Sequence, residues 1–157
     1  MRPVAARSLS STDARRIAEI EQELSKLFRR ARSMSMGLAR KVHPDMDAAG
    51  YALISQIDLG TTDGGARASE LALALGLDKS TVSRGIAQLE GLGLVERVAD
   101  PDDGRARRLR LTPEGADRYG AIRAQRRTEF EAILARWDRT DLDDLAHLLA
   151  QLNDDLA

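Results

Sequence analysis

The chain has 157 residues, 43% of them hydrophobic, with a formal net charge of −1 and no cysteine. That length suits one ordinary domain with helical extensions, able to bury roughly 70% of its unfolded surface. The missing cysteines exclude disulfides and thiol redox sensing and fit a reducing cytoplasm. No apolar run reaches the length of a membrane span, so no membrane partner is expected.

From the N-terminus, residues 1–11 carry arginine and serine but no acid and read as a frayed, disordered tail. Residues 12–40 form a long helix with Ile17, Ile20, Leu24, Leu27 and Phe28 on one face and charges opposite. Residues 12–45 make an N-terminal arm, with Ile17 and Ile20 as candidates for dimer contacts. Pro44 and Gly50 bound a loop, and residues 51–59 form a second, largely buried helix. This opens a unit spanning 50–112. A glycine-rich connection over 60–66 runs towards a minimal strand near Arg67 and Ala68.

The stretch 68–112 is the most informative. Ser69 is placed to cap a short helix carrying Leu71 and Leu75, and Gly76 ends it by accepting a left-handed backbone. Asp78 caps a second helix in which Val82, Ile86 and Leu89 recur at helical spacing. Small Ala72 allows a close approach, and Val82 fits the angle between the two. This is a helix-turn-helix, which offers the first residues of its second helix to a major groove. Lys79, Ser80, Thr81, Ser83, Arg84 and Gln88 remain on the outward face once the apolar stripe is removed. Hydroxyls and a lysine near a helix N-terminus suit phosphate, and Arg84 and Gln88 can reach guanine and adenine edges. Any one of these alone is an ordinary solvated residue. The set, followed at once by a basic hairpin, points to nucleic acid.

In that hairpin residues 94–99 form one strand, 100–104 supply turn chemistry, and 106–111 return with Leu109 and Leu111 on one face. Arg108 and Arg110 are then expected to face solvent or phosphate. Arg105 stands at the tip beside Asp102 and Asp103, either of which could hold its guanidinium for a minor groove. With Arg107 these arginines make a basic wing; the bland alternative is that the aspartates only form a turn.

Thr112 followed by Pro113 opens a long helix over 113–137, and Thr140 or Asp141 opens the last one. Leu142, Leu145, Leu149, Leu152 and Leu156 step by 3, 4, 3 and 4. Such a heptad seam either closes the chain's own core or pairs with a second copy, and residues 113–157 are read as dimerisation helices. The winged unit is too small to need such long helices at both ends, and pairing multiplies modest half-site affinities. Charge distribution outweighs the chain total: seven basic and five acidic residues lie between Lys79 and Arg110, against six acids and one arginine from Asp138 onward.

No catalytic residues, metal site or cofactor are expected. His43 and His147 lack a partner at zinc-binding spacing, Gly91-Leu92-Gly93 lacks the third glycine of a dinucleotide loop, and Ser80 and Ser83 have no neighbouring base. Met34, Met36 and Met46 cluster near the first loop. Core filling is the usual use of such a group; the alternative is a pocket, with Tyr51, for a lipophilic or aromatic effector. An aromatic content of 3% disfavours single-strand stacking platforms and favours duplex DNA.

The run DKSTVSR, the later Gly-Leu-Val and the segment DPDDGRARRLRLTPEG resemble the MarR family of bacterial transcriptional regulators. The resemblance covers residues 68–115 closely and the flanking helices in outline. It implies a mostly helical winged fold whose terminal helices interlock across a two-fold axis. It also implies major-groove contacts from Ser80, Thr81, Ser83 and Arg84, minor-groove entry by Arg105, and a brace from Asp102 or Asp103. One departure is Gly85, which costs roughly 1 kcal/mol of helix propensity and is expected to let another backbone approach. The resulting expectation is a homodimeric regulator, a repressor, on a pseudo-palindromic duplex operator. The alternative is a helical dimeric protein-interaction module, against which the exposed wing arginines argue.

Overall fold

The computed structural model describes residues 10–60, 64–101 and 103–156. The expected tail is outside these, except for Ser10 and Ser11. Ser10 begins the first helix, α1 (Ser11–Val42), through a reciprocal cap: its hydroxyl accepts from the Asp13 N–H at 3.1 Å, and the Asp13 carboxylate accepts from the Ser10 N–H. α1 ends where His43 turns extended, as a residue preceding proline must. α2 (Ala48–Gly60) starts three residues earlier than expected, because the Asp47 carboxylate accepts from the Gly50 N–H at 2.7 Å. Gly50 therefore lies inside the helix and not at a loop boundary.

α3 (Ala68–Leu75) is capped differently from the expectation for Ser69. The Glu70 carboxylate reaches back to the Arg67 N–H at 2.7 Å, and Ser69 sits within the first turn. The chain then turns through Gly76 at φ 61° into α4 (Lys79–Gly91), whose cap is Asp78. β1 (Val95–Ala99) and β2 (Arg107–Leu111) pair antiparallel, from Val95 opposite Leu111 to Ala99 opposite Arg107. A single bridge joins Ala66 to Leu109 with both backbone bonds made, one residue before the expected minimal strand. Thr112 caps α5 (Pro113–Leu134) by accepting from the Gly115 N–H at 3.0 Å, and α5 stops short of Trp137. α6 (Arg139–Leu156) opens just before the expected Thr140 or Asp141, with the Asp138 carboxylate receiving the Asp141 N–H.

The core lies beneath the helix-turn-helix and the hairpin. Leu53, Ile54 and Ile57 of α2 meet Leu71, Val82, Ile86 and Leu89, with Leu94, Leu109 and Leu111 from the hairpin and Ala39 and Val42 from the end of α1. Tyr119 closes it from α5, its ring 5.8 Å from that of Tyr51. Burial pushes the Tyr119 hydroxyl up from its ordinary range, opposed by a hydrogen bond with Ser55. Two helices approach through Gly85, where a Cβ would stand 2.3 Å from Leu53 Cδ1. The neighbour that requires this glycine is thus a side chain, not the backbone expected. Beyond this core the chain stays open: Phe28 is 66% exposed and α6 buries no residue.

Candidate nucleic-acid interface

The opening turn of α4 is organised by Asp78. Its carboxylate accepts from the Ser80 hydroxyl at 2.6 Å, the Thr81 hydroxyl at 2.7 Å and the Thr81 N–H at 2.9 Å. These bonds, that of Ser80 foremost, hold the carboxyl far below the usual carboxylate range. The Ser80 and Thr81 protons are therefore turned to Asp78, leaving their oxygen lone pairs as acceptors. Lys79, Ser83 and Arg84 are exposed, and Arg84 rests on the Thr81 hydroxyl at 3.3 Å. Ser80, Ser83 and Arg84 share one face by their spacing. Gln88 lies one turn further along that face, but its amide nitrogen donates to the Asp45 carbonyl in the α1–α2 loop at 3.0 Å.

On the wing, Arg105 and Arg107 are exposed and make no ion pair among the described residues. The Asp103 carboxylate accepts from the Arg105 N–H at 3.0 Å, gripping the backbone of the tip; Asp102 lies outside the described residues. Arg110 pairs across the strands with Glu96 at 2.8 Å, and Arg97 reaches Glu90 of α4 at the same distance.

Arg108 overturns the expectation that it faces solvent. It shares a face with Arg110, but the segment through Gly65 and Ala66 covers the hairpin there, and its side chain is only 14% exposed. Its Nε lies 3.0 Å from Asp100 Oδ2, and the same oxygen takes Arg67 Nη2 at 2.6 Å. The Asp100 side chain is completely buried. Sequence reasoning missed both Asp100, which read as turn composition, and Arg67. A charge buried this deeply needs partners, but the separation of 33 residues between these two carries no local signal.

The other candidate residues are distributed as follows. Ile17 and Ile20 are exposed on α1; Leu142 and Leu145 are half-buried on α6, and Leu149, Leu152 and Leu156 are exposed. A groove of about 630 Å³ separates Ile20, Leu24 and Leu27 from Leu145 and Leu149. Met46 and Tyr51 are core residues whereas Met34 is 54% exposed, so the three do not come together as one pocket. Met46 instead lines a cavity of about 210 Å³ with Met36 and Pro44. Among the described residues no acid or histidine cluster could hold a metal, and no helix is long and apolar enough to cross a membrane.

A helix-turn-helix and an arginine-bearing hairpin seated on one core define a winged helix-turn-helix protein. The MarR family profile matches residues 59–106. The chain is 33% identical to the uncharacterized HTH-type transcriptional regulator YxaD of Bacillus subtilis, over 85% of this chain and 90% of that protein. Its fold is similar to that of the MarR family transcription regulator SP03579, with a TM-score of 0.78 and 20% identity over 93% of each chain. It is also similar to Streptococcus pneumoniae FabT, solved in complex with DNA, with a TM-score of 0.75 and 20% identity over 89% of this chain and 96% of that one. The chain belongs to the MarR family and is a transcription regulator with a DNA-binding winged helix-turn-helix, in a family of regulators rather than enzymes.

Proposed function

We propose that this regulator is a cytoplasmic homodimeric repressor that binds a pseudo-palindromic duplex operator and is released by a small lipophilic or aromatic effector. One observation carries the DNA reading: Lys79, Ser83 and Arg84 at the start of α4 and Arg105 and Arg107 on the wing are all exposed, with no acid paired to the wing pair among the described residues. The α4 set enters a major groove, with Ser80 and Thr81 as acceptors, and Arg105 enters the adjacent minor groove. That the similar FabT was solved with DNA supports the choice of partner.

The dimer reading rests on α1 and α6. An apolar seam with no fully buried residue on α6 in the single chain is covered by a second copy, whose helices fill the groove between Ile20 and Leu149. Residues 12–45 and 113–157 thus serve dimerisation, while 50–112 binds DNA. Two recognition helices would then sit about 34 Å apart, one turn of duplex. The effector belongs beside the α1–α2 loop, where Met36 and Met46 line a cavity and where Gln88 ties α4 to Asp45. Fluorescence anisotropy against genomic duplex fragments, with random duplex as competitor and salt varied, tests this reading. Selective, salt-sensitive binding by a dimer is expected; equal affinity for all sequences would reject the operator.

A further inference from the structure

The buried carboxylate of Asp100 stands where the wing joins the helix-turn-helix. Arg67, which immediately precedes α3, gives it Nε at 2.7 Å and Nη2 at 2.6 Å, and Arg108 of β2 approaches at 3.0 Å. Asp100 is also the first residue of the tip loop. Its N–H bonds the Ala106 carbonyl at 3.3 Å, and within the loop Asp103 bonds the N–H groups of both Arg105 and Ala106. The direction in which the tip leaves the strands is therefore set at Asp100. Arg97 with Glu90 also links the wing to α4, but that pair is solvent-exposed, and exposed pairs constrain little.

Stability alone is a poor account of this cluster. Leu94, Leu109 and Leu111 already hold the hairpin on the core. Buried ion pairs are often replaceable by apolar groups without loss of stability, whereas removing one partner leaves a charge that must leave the interior. Without the Asp100 carboxylate, Arg108 keeps the Gly65 carbonyl at 3.4 Å but loses the buried opposite charge beside its Nε, and the base of the tip is expected to shift with it.

We propose that Asp100 is a positioning residue for DNA recognition: through Arg67 and Arg108 it sets the orientation in which the wing presents Arg105 to the minor groove. This rests on the minor-groove role of Arg105 proposed above. The test uses the full chain carrying Arg105→Ala, Asp100→Asn, Arg67→Gln, or either of the last two combined with Arg105→Ala. Operator affinity is measured against salt and against A·T-rich or G·C-rich flanks.

Arg105→Ala is expected to shallow the log-affinity against log-salt slope by about 1 and to flatten the flank preference. Asp100→Asn should reproduce both changes while leaving base preferences beneath α4 intact, and adding Arg105→Ala to it should cost nothing further. Arg67→Gln removes only the half-exposed partner and should show the same non-additivity at smaller size, even if Asp100→Asn does not fold. Losses that add fully to that of Arg105→Ala, or an unchanged flank preference in a folded Asp100 or Arg67 variant, would reduce the cluster to a structural feature. No effect of Arg105→Ala itself would instead remove the minor-groove reading, and the positioning role with it.

Discussion

Arg84 and Gln88 stand one turn apart on α4, but their donors are committed differently. Arg84 leans on the Thr81 hydroxyl at the exposed edge, whereas Gln88 gives an amide proton to the Asp45 carbonyl, 43 residues away in the chain. Arg84→Ala should therefore cost about 1–3 kcal/mol at one operator position and relax specificity there. Gln88→Ala should weaken binding to all operator variants alike, because it frees the helix from the α1–α2 loop. A matrix of single-base operator variants separates the two, and a loss confined to one base pair in Gln88→Ala would make Gln88 a base reader. Asp78 carries a pH signature. Its folded-state carboxyl is held below the ordinary value of 3.8 by the Ser80 and Thr81 donors, so its contribution is complete above that value and disappears as pH falls through the lowered one. Asp78→Asn keeps an acceptor for the Thr81 N–H but loses the charge. The stability difference between wild type and Asp78→Asn, from urea unfolding, should narrow from neutrality towards about pH 3. A constant difference would contradict the cap chemistry.

At the scale of elements, two glycines show how differently a close approach can be enforced. A Cβ at Gly85 meets Leu53 Cδ1, the end of a buried but rotatable side chain, at 2.3 Å. Gly85→Ala gains about 1 kcal/mol of helix propensity and loses about 1–3 kcal/mol to overpacking, so a modest net loss is expected. A Cβ at Gly115 meets the Leu94 carbonyl oxygen at 2.0 Å, and backbone cannot rotate away. That loop is fixed twice more, since Thr112 bonds the Gly93 carbonyl through its hydroxyl and the Leu94 carbonyl through its N–H. Gly115→Ala should be clearly the more destabilising of the two in urea unfolding; equal losses would mean that α5 docks more loosely than its geometry requires. Helix starts were legible at Asp78 and Thr112, where a strong capping residue directly precedes the apolar pattern or a proline, whereas the equally local caps at Ser10, Asp47 and Asp138 were missed. At α3 the competing local candidate, Ser69, lies inside the first turn, because the Glu70 carboxylate bonding back to the Arg67 N–H fixes the helix start two residues earlier with a charge-assisted bond.

For the whole molecule, the exposed apolar faces of α1 and α6 carry the dimer proposal. Leu149 is 42% exposed in the single chain and outside its core, so an aspartate there disturbs little internal packing, yet in a dimer it places an unpaired carboxylate inside the seam. Leu149→Asp should leave the helical circular dichroism unchanged, sediment as a monomer and lose operator binding, although no residue facing DNA is altered. A wild-type monomer at micromolar concentration with full operator affinity would overturn the dimer. The sequence by itself determined the helix-turn-helix, the hairpin and its register face, the basic surplus of the centre and the leucine seam. All of these follow from periodicity, caps and turn residues acting over a few positions. Only the tertiary structure decided which arginines remain free, that Asp100 joins Arg67 to Arg108, and that Gln88 is tethered and Gly85 answers to Leu53. The physical reason is distance along the chain. A buried charge or a close contact is fixed by partners that folding supplies, and no spacing rule within one element can name them.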